Sequence, residues 1–564
     1  MQKIVECVPN FSEGRDEAII KQITDVIEEV EDVVLLDVDP GKDTNRTVVT
    51  FVGSPEGVEE AAFRAIKKAS EIIDMRNHSG AHPRMGATDV CPFVPVAGVT
   101  TEDCIEISKK LGKRVGEELE IPVYLYEHSA TSPDRENLAT IRQGEYEGLA
   151  KKLEDPHWKP DFGPAKMNEK AGALVTGARE FLIAYNIDLN TRDKQKAKDI
   201  ALTIREKGRR MRDENYQPVK DSDGNIIEIP GLFQFVKAIG WYIPEYGQAQ
   251  ISINFTNYKV SPPHIVFDKV REIALEKGLV VTGSELVGLI PLEAMLQAGR
   301  YFLEKQGSSY AVCDKELVHI AIRSLGLNDV SPFNPHEKII EYRIAKEGLL
   351  VDLTVSDFVD ELASDSPAPG GGSVAALCGS LAAGLTSMVG NLTQGKYKFK
   401  NTEERLAYRE NEARMLTMAW EAQQLKKQLL AAIDQDTEAF NVYMAAMKMP
   451  KKTDEQKKSR NEAMQNAIVN ATKIPLHTMK LCWEVIVLSE TAAKYGNQNA
   501  LSDAGVSAMT ALTGVKGAYF NVLINLPGVK DEEFKNKILK DAERILEQSV
   551  ELAEKVEKSV LDKL

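Results

Sequence analysis

Short β-branched runs alternate with amphipathic helical patterns from Ile4 to Leu286, and the strand signals then vanish after about Tyr342. These two observations predict a multidomain chain: two ferredoxin-like α/β (α+β) subdomains followed by an all-α helical-bundle domain. Length agrees, because single cores stop growing at roughly 250–300 residues and this chain has 564.

In the first subdomain, residues 1–179, the pattern reads strand Ile4–Val8, helix Asp16–Glu29, strands Val33–Val38 and Arg46–Val52, helix Pro55–Ile73 and strand Cys91–Val96. A second βαββαβ pass fills residues 180–305: FLIAYNIDL, a helix over Asp193–Arg210, LFQFVKAIGWY, AQISINFTNY, a helix over His264–Glu276, and LVVTGSEL. The groove between two such units is the expected binding site. Residues 306–348 read as a linker with a helix at Asp314–Leu325 and the stretch SPFNPHEK. The remainder, 349–564, is rich in Ala, Leu, Met, Glu and Lys at helical spacing and predicts a bundle.

The formal charge of −15 argues against nucleic acid as a partner, since such binding needs a basic face. Six cysteines lie scattered without a CxxC pair, so no disulfide framework is expected. The N-terminus lacks a signal-peptide pattern, and no stretch reaches roughly 18 continuous apolar residues, so no membrane partner is expected and a cytoplasmic setting is.

Candidate chemistry in the first half centres on NHSGAHPRMGATDVCPFVPV. The spacing of His78 and His82 raises a metal site, but Gly80 and Pro83 oppose a helix there and HExxH is absent, so no metal is expected. Pro83 biases His82 toward extended backbone, placing His82 and Arg84 on one side. That arrangement offers a proton-transfer imidazole beside a cation able to grip a carboxylate; the structural alternative is an ordinary loop histidine. In VVLLDVDPGKD, Asp37 and Asp39 are expected to share a strand face with Val33 and Leu35. Asp39 stands at the strand end before Pro-Gly, where it either supports catalysis or stabilises the turn. The run PDFGPAKMNEKAG lets backbone approach a ligand closely, or simply crosses between subdomains.

The set VPNFSEGRD, DVDPGKDTNRTVVTFVG, HSGAHPRMGATDVCPFVP, PDFGPAK and TGAREFLIAYNIDL closely resembles glutamate formimidoyltransferase across residues 1–300. The resemblance implies movement of a formimidoyl group between N-formimidoyl-L-glutamate and tetrahydrofolate, with folate in the groove. It implies His82 as acid/base, Asp39 orienting or charge-balancing it, and Arg84 holding a substrate carboxylate. It also implies a folate-contacting loop made of Gly163, Pro164, Ala165, Lys166, Met167, Asn168, Glu169, Lys170, Ala171 and Gly172.

In the second half, SDSPAPGGGSVAALCGSLAAG places Gly370, Gly371, Gly372 and Ser373 before a small-residue helix, which suits either an anion cradle or close helix packing. In LLAAIDQDTEAFNVYM, a 3.6-residue period puts Asp434 with Lys427, Thr437, Glu438 and Asn441. It puts Asp436 with Leu429, Ala432, Ile433, Phe440 and Tyr443, so Asp436 alone is expected to face the interior. Burial raises a carboxyl's pKa, which suits proton transfer near neutrality; a structurally bonded Asp is the alternative. The set APGGGSVAA, SMVGNLT, IDQDTEAF, KMPKKT and GVKGAYFNVLINL resembles formimidoyltetrahydrofolate cyclodeaminase over 350–540. That resemblance puts Asp436 at the catalytic acid/base position and implies ring closure with loss of ammonia to 5,10-methenyltetrahydrofolate.

Residues Lys396–Leu430 look longer than the mammalian-type pattern, and Lys396, Lys398 and Lys400 interleave with Tyr397 and Phe399, a combination suited to a polyanionic folate tail. The two resemblances together imply a bifunctional transferase and lyase of histidine degradation. They imply polyglutamylated tetrahydrofolate as co-substrate and a homo-oligomer, a dimer or a ring of dimers. The alternatives are a glutamate formyltransferase using N-formylglutamate and a non-catalytic folate-binding protein.

Overall fold

The computed structural model describes residues 3–42, 44–80, 82–345, 349–395 and 402–564. It divides into two compact units, residues 1–294 with 325–344, and residues 295–324 with 345–564.

The first unit opens with strands β1 (Ile4–Cys7) and β2 (Asn10–Phe11), helix α1 (Glu17–Glu28), strands β3 (Val33–Gly41) and β4 (Arg46–Gly53), helix α2 (Pro55–Ile72) and strand β5 (Thr88–Ala97). Helix α3 (Thr101–Glu118), strand β6 (Val123–Glu127), helices α4 (Leu138–Ile141) and α5 (Glu145–Leu153) and strand β7 (Leu174–Ala178) follow. β3, β4, β1/β2 and β5 pair antiparallel, and β7 and β6 extend the sheet in parallel. The sequence pattern did not announce β6 and β7, whose buried runs lack the alternation that marks a half-exposed strand. Helix α3 is signalled locally by its capping box, Thr100 with Asp103. Val5, Cys7, Phe51 and Phe93 of the sheet bury against Ile23, Ile27, Phe63, Ile66 and Leu111 of the three helices.

The second sheet follows the expected pattern: β8 (Ile183–Leu189), α6 (Lys194–Ile204), a small ribbon of β9 (Arg209–Arg210) with β10 (Glu228–Ile229), β11 (Val236–Ile243), β12 (Gln248–Phe255), α7 (Pro263–Glu276) and β13 (Val281–Val287). Its order is β11-β12-β8-β13, all antiparallel. The helix expected to reach Arg210 stops at Ile204, because Arg205 turns extended and the chain enters the ribbon.

Helix α8 (Leu292–Lys305) leaves this unit, and α9 (Asp314–Leu325) has the bounds read from sequence. Residues 306–348, read as a linker, do not form one connecting segment. Residues up to 324 belong to the helical unit, and 325–344, with the short helices α10 (Pro335–Lys338) and α11 (Ile340–Arg343), return to the α/β unit.

The helical unit continues with α12 (Val355–Leu362), α13 (Gly371–Leu392), α14 (Thr402–Lys448), α15 (Asp454–Tyr495), α16 (Leu501–Asn525) and α17 (Glu532–Leu561). Small residues let α13 sit at its centre. A Cβ on Gly379 would lie 2.5 Å from Cys482 Sγ, and one on Gly390 would lie 2.7 Å from the Ala419 methyl. The α14–α15 turn ends in a capping box of Thr453 and Gln456. From Thr402 onward, the segment that looked long is the first part of α14. Lys396, Tyr397, Lys398, Phe399 and Lys400 lie outside the described residues.

Candidate functional sites

His82 lies half-buried, and its Nε2 stands 2.9 Å from Arg46 Nη1. A guanidinium has only donors, so Nε2 accepts and the imidazole is neutral. Its other nitrogen, Nδ1, is buried without a partner at hydrogen-bond geometry. Burial lowers the His82 pKa below 6.5, and the cations Arg46 and Arg142 lower it further, while the Pro83 carbonyl and Asp89 pull it back up. Asp89 is fully buried on β5; it accepts from the Met85 N–H at 2.8 Å and from the Arg142 guanidinium. Burial and Arg142 push Arg46 down, and Asp89 and Asp39 push it up.

Arg84 does not stand beside His82 as the two-residue spacing suggested. It is buried, gives Nη2 to Glu147 Oε1 at 2.7 Å and Nη1 to Glu147 Oε2 at 2.9 Å, and reaches Glu145 at 3.2 Å. Its Nε donates to His78 Nδ1 at 3.1 Å. A buried guanidinium needs fixed anions, and α5 supplies them, so the fork expected to hold a substrate carboxylate is already engaged. These side chains line a cavity of about 470 Å³ that also includes Ser79 and Gly80.

Asp39 is exposed on β3 opposite Val48. A register shift between Leu35 and Asp37 breaks the alternation, burying Leu36, so the aspartates do not keep the face expected for them. Asp39 bears on Arg46, and the carboxylate bearing on His82 itself is Asp89. Arg46, Asp89 and Arg142 were all missed from sequence. TNR and ATD sit inside the quoted motifs, but nothing local marks which residues converge, and Arg142 arrives from a separate short helix end.

The loop from Gly163 to Gly172 packs against the chain that carries Arg84. Ala87 N donates to Ala171 O at 2.8 Å, Ala173 N to Met85 O at 3.1 Å, and Gly172 pairs with Gly86. Asn168 closes the turn, accepting from Gly172 N through its carbonyl at 2.7 Å and from Ala171 N through Oδ1 at 3.0 Å. Gly172 has φ +72°, and a Cβ there would stand 2.1 Å from Met85 O. Pro164, Ala165, Lys166, Met167, Glu169 and Lys170 fill the arch between, with Ala165, Lys166 and Glu169 exposed.

On the second sheet, Gly240 packs against α6 and shares its face with Ile251 and Ile187, which turns Asp188 to the opposite face. There Gln250 donates to Asp188 at 2.7 Å and Trp241 donates to Gln250 at 3.2 Å; burial pushes the Asp188 carboxyl up to about 6. Sequence reading treated these residues only as strand.

In the helical unit, Asp436 meets the start of α13. Ser373 is fully buried; its hydroxyl donates to Ile433 O at 2.9 Å and reaches Asp436 Oδ2 at 3.4 Å. Burial raises the Asp436 carboxyl, and the Ser373 hydroxyl and N–H offset part of that rise. A Cβ on Gly372 would fall 2.2 Å from Asp436 Oδ1, so only glycine admits the carboxylate to the helix end. A cavity of about 300 Å³ opens here between Gly370, Gly371, Asp436, Tyr443, Asn521 and Asn525. The asparagines, one turn apart on α16, were not singled out from sequence. Asp434 is also less outward than its helix face suggested. It is half-buried because residues 350–352 fold back onto it, and its Oδ1 accepts from Leu350 N at 2.7 Å.

The comparisons with known proteins fit this two-part geometry. Residues 4–179 match the family described as formiminotransferase domain, N-terminal subdomain, residues 184–345 the formiminotransferase domain, and residues 354–544 formiminotransferase-cyclodeaminase. A formimidoyltransferase-cyclodeaminase of Dictyostelium discoideum is 44% identical over 564 residues, covering 99% of this chain and 98% of that protein. A glutamate formimidoyltransferase of Streptococcus pyogenes is 40% identical over 310 residues, 55% of this chain and 96% of its own. A methenyltetrahydrofolate cyclohydrolase of Methylorubrum extorquens is 39% identical over 211 residues, 37% of this chain and 97% of its own. Matched along nearly its whole length, this chain belongs to the formimidoyltransferase-cyclodeaminase family.

Proposed function

We propose that the chain is a bifunctional folate enzyme. Its α/β half transfers the formimidoyl group from N-formimidoyl-L-glutamate to tetrahydrofolate. Its helical half then closes the ring and releases ammonia to give 5,10-methenyltetrahydrofolate. The observation that carries this reading is that each half holds one half-buried proton-transfer group of shifted pKa, His82 and Asp436, the latter at a cavity.

In the transfer, the folate N5 attacks the formimidoyl carbon and its proton passes to His82. As the bond to the glutamate nitrogen breaks, the imidazolium returns that proton to the departing amine, so the histidine ends as it began. A neutral imidazole of lowered pKa supports the first step, because it enters unprotonated. In the second reaction N10 attacks the same carbon, and Asp436 moves the proton from N10 to the departing ammonia. Its raised pKa supports both directions of that shuttle near neutrality.

Folate contact by residues 163–172 and by the Gly370–Ser373 turn belongs to the same proposal, supported by backbone that only glycine accommodates at Gly172 and Gly372. So do a polyglutamylated folate, a cytoplasmic setting and a ferredoxin-like reading of each α/β unit, the last supported by the strand order β11-β12-β8-β13. Self-association through the helical half is supported by exposed apolar side chains on α13 and α16, among them Leu381, Met388, Met509 and Phe520.

The test is turnover by the purified full chain. With tetrahydrofolate, N-formimidoylglutamate is expected to yield methenyltetrahydrofolate and ammonia, and N-formylglutamate is not. Turnover of the formyl donor alone would replace this reading.

A further inference from the structure

The cation bonded to the proposed base has two neighbours of its kind, and the three are held differently. Arg84 is clamped by Glu147 and Glu145, and Arg142 is bound to Asp89. Among the described residues, Arg46 has no carboxylate within ion-pair distance, and its fork is spent on His82 Nε2. That contact has a chemical cost. A base needs a lone pair, a neutral imidazole has one, and here the lone pair on Nε2 is occupied, leaving the proton on Nδ1.

Resting on the reading of His82 as the transferase base, we propose that Arg46 is a carboxylate latch. In the free enzyme it caps the His82 lone pair; the α-carboxylate of the glutamate-derived donor draws the guanidinium away and frees Nε2 to accept the N5 proton. The donor's chemistry supplies the reach. In N-formimidoylglutamate the α-carboxylate sits on the carbon bonded to the reacting nitrogen, so it enters beside the imidazole. The carboxylates of the folate tail are separated from N5 by the aminobenzoyl group. A carboxylate also outcompetes an imidazole for a guanidinium, through two parallel charge-assisted bonds.

Two effects follow from one movement. The donor gains an ion pair, and the imidazole loses an adjacent cation, becoming more basic only when the donor is bound. Arg142, Asp89 and the more distant Asp39 remain as the fixed charges around the pair.

The test uses the full chain carrying ¹⁵N-labelled histidine, with His82 assigned by loss of its signals in His82→Gln. In the free protein His82 is expected to be neutral with its proton on Nδ1. L-Glutamate should shift its resonances and raise its titration midpoint, and folic acid should not. Arg46→Met should abolish the glutamate response and raise the KM for N-formimidoylglutamate about tenfold or more, the scale of a lost charge-assisted bond, with the KM for tetrahydrofolate within about twofold. Should Arg46→Met fail to fold, Arg46→Lys keeps the charge without the planar fork and is expected to shift the same KM less. A proton on Nε2 in the free enzyme, an unmoved resonance with glutamate, or a change in the folate KM alone would overturn the latch. Full transfer by His82→Gln would instead remove His82 as the base, an outcome separate from these.

Discussion

Gly372 and Asp436 share a space that a single methyl group would fill. Gly372→Ala is expected to displace the carboxylate, cost about 1–3 kcal/mol by overpacking, and lower deamination at least tenfold with transfer unchanged; a denaturant titration beside both assays checks this. Glu6 gives a second prediction. It is buried beneath the first sheet, where burial raises its carboxyl from 4.5 to about 7 against the pull of Arg179. The unfolded chain therefore releases this proton at lower pH than the folded one, and stability falls as pH rises from about 4.5 to about 7. Glu6→Gln is expected to gain about 3 kcal/mol at pH 8 and little at pH 4, read from the unfolding midpoint at each pH. At this scale the sequence was uneven. The inward face of Asp436 was legible because helical period alone decides it. The partners of Arg84 were not, because Glu147 lies 63 residues away, and the half-burial of Asp434 depends on a segment folding back onto its helix.

Between the HPR segment and the glycine-rich loop, the elements meet through backbone. Gly172 holds a left-handed φ of +72° with Met85 O at methyl distance. Gly172→Ala is expected to cost more than about 1 kcal/mol and to weaken transfer while sparing deamination, measured by melting temperature and the two separate assays. The element pattern itself was largely readable: the second βαββαβ pass and α9 came out of period and turn chemistry, and the motifs resembled the family before any coordinates did. What local pattern could not carry was the β3 register shift, which moves Asp37 and Asp39 off their expected face, and the parallel pair β7 and β6, whose buried runs carry no alternation. Both are set by pairing across the sheet.

At the scale of the whole molecule, the two proton-transfer groups are shifted in opposite directions by the same cause, since burial disfavours the charged form of each. The imidazole stays neutral to lower pH and the carboxyl stays protonated to higher pH. The acid limb of kcat/KM for transfer is therefore expected below about 6.5, the ordinary histidine value, and the carboxyl limb for deamination above about 3.9, the ordinary aspartate value. Separate pH profiles of the two reactions check both directions. Moving the first limb upward by Arg46→Met would tie the profile to the cation on His82.

Two units with their own cores lead to one claim above the others, that the chain runs two reactions at two independent sites. The direct measurement follows methenyltetrahydrofolate spectroscopically in His82→Ala and Asp436→Ala, once from N-formimidoylglutamate with tetrahydrofolate and once from pre-formed 5-formimidoyltetrahydrofolate. His82→Ala is expected to stop product from the first mixture and leave the second at full rate. Asp436→Ala is expected to stop product from both while still releasing glutamate from the first. Loss of glutamate release and of deamination together in either folded variant would contradict two separate sites.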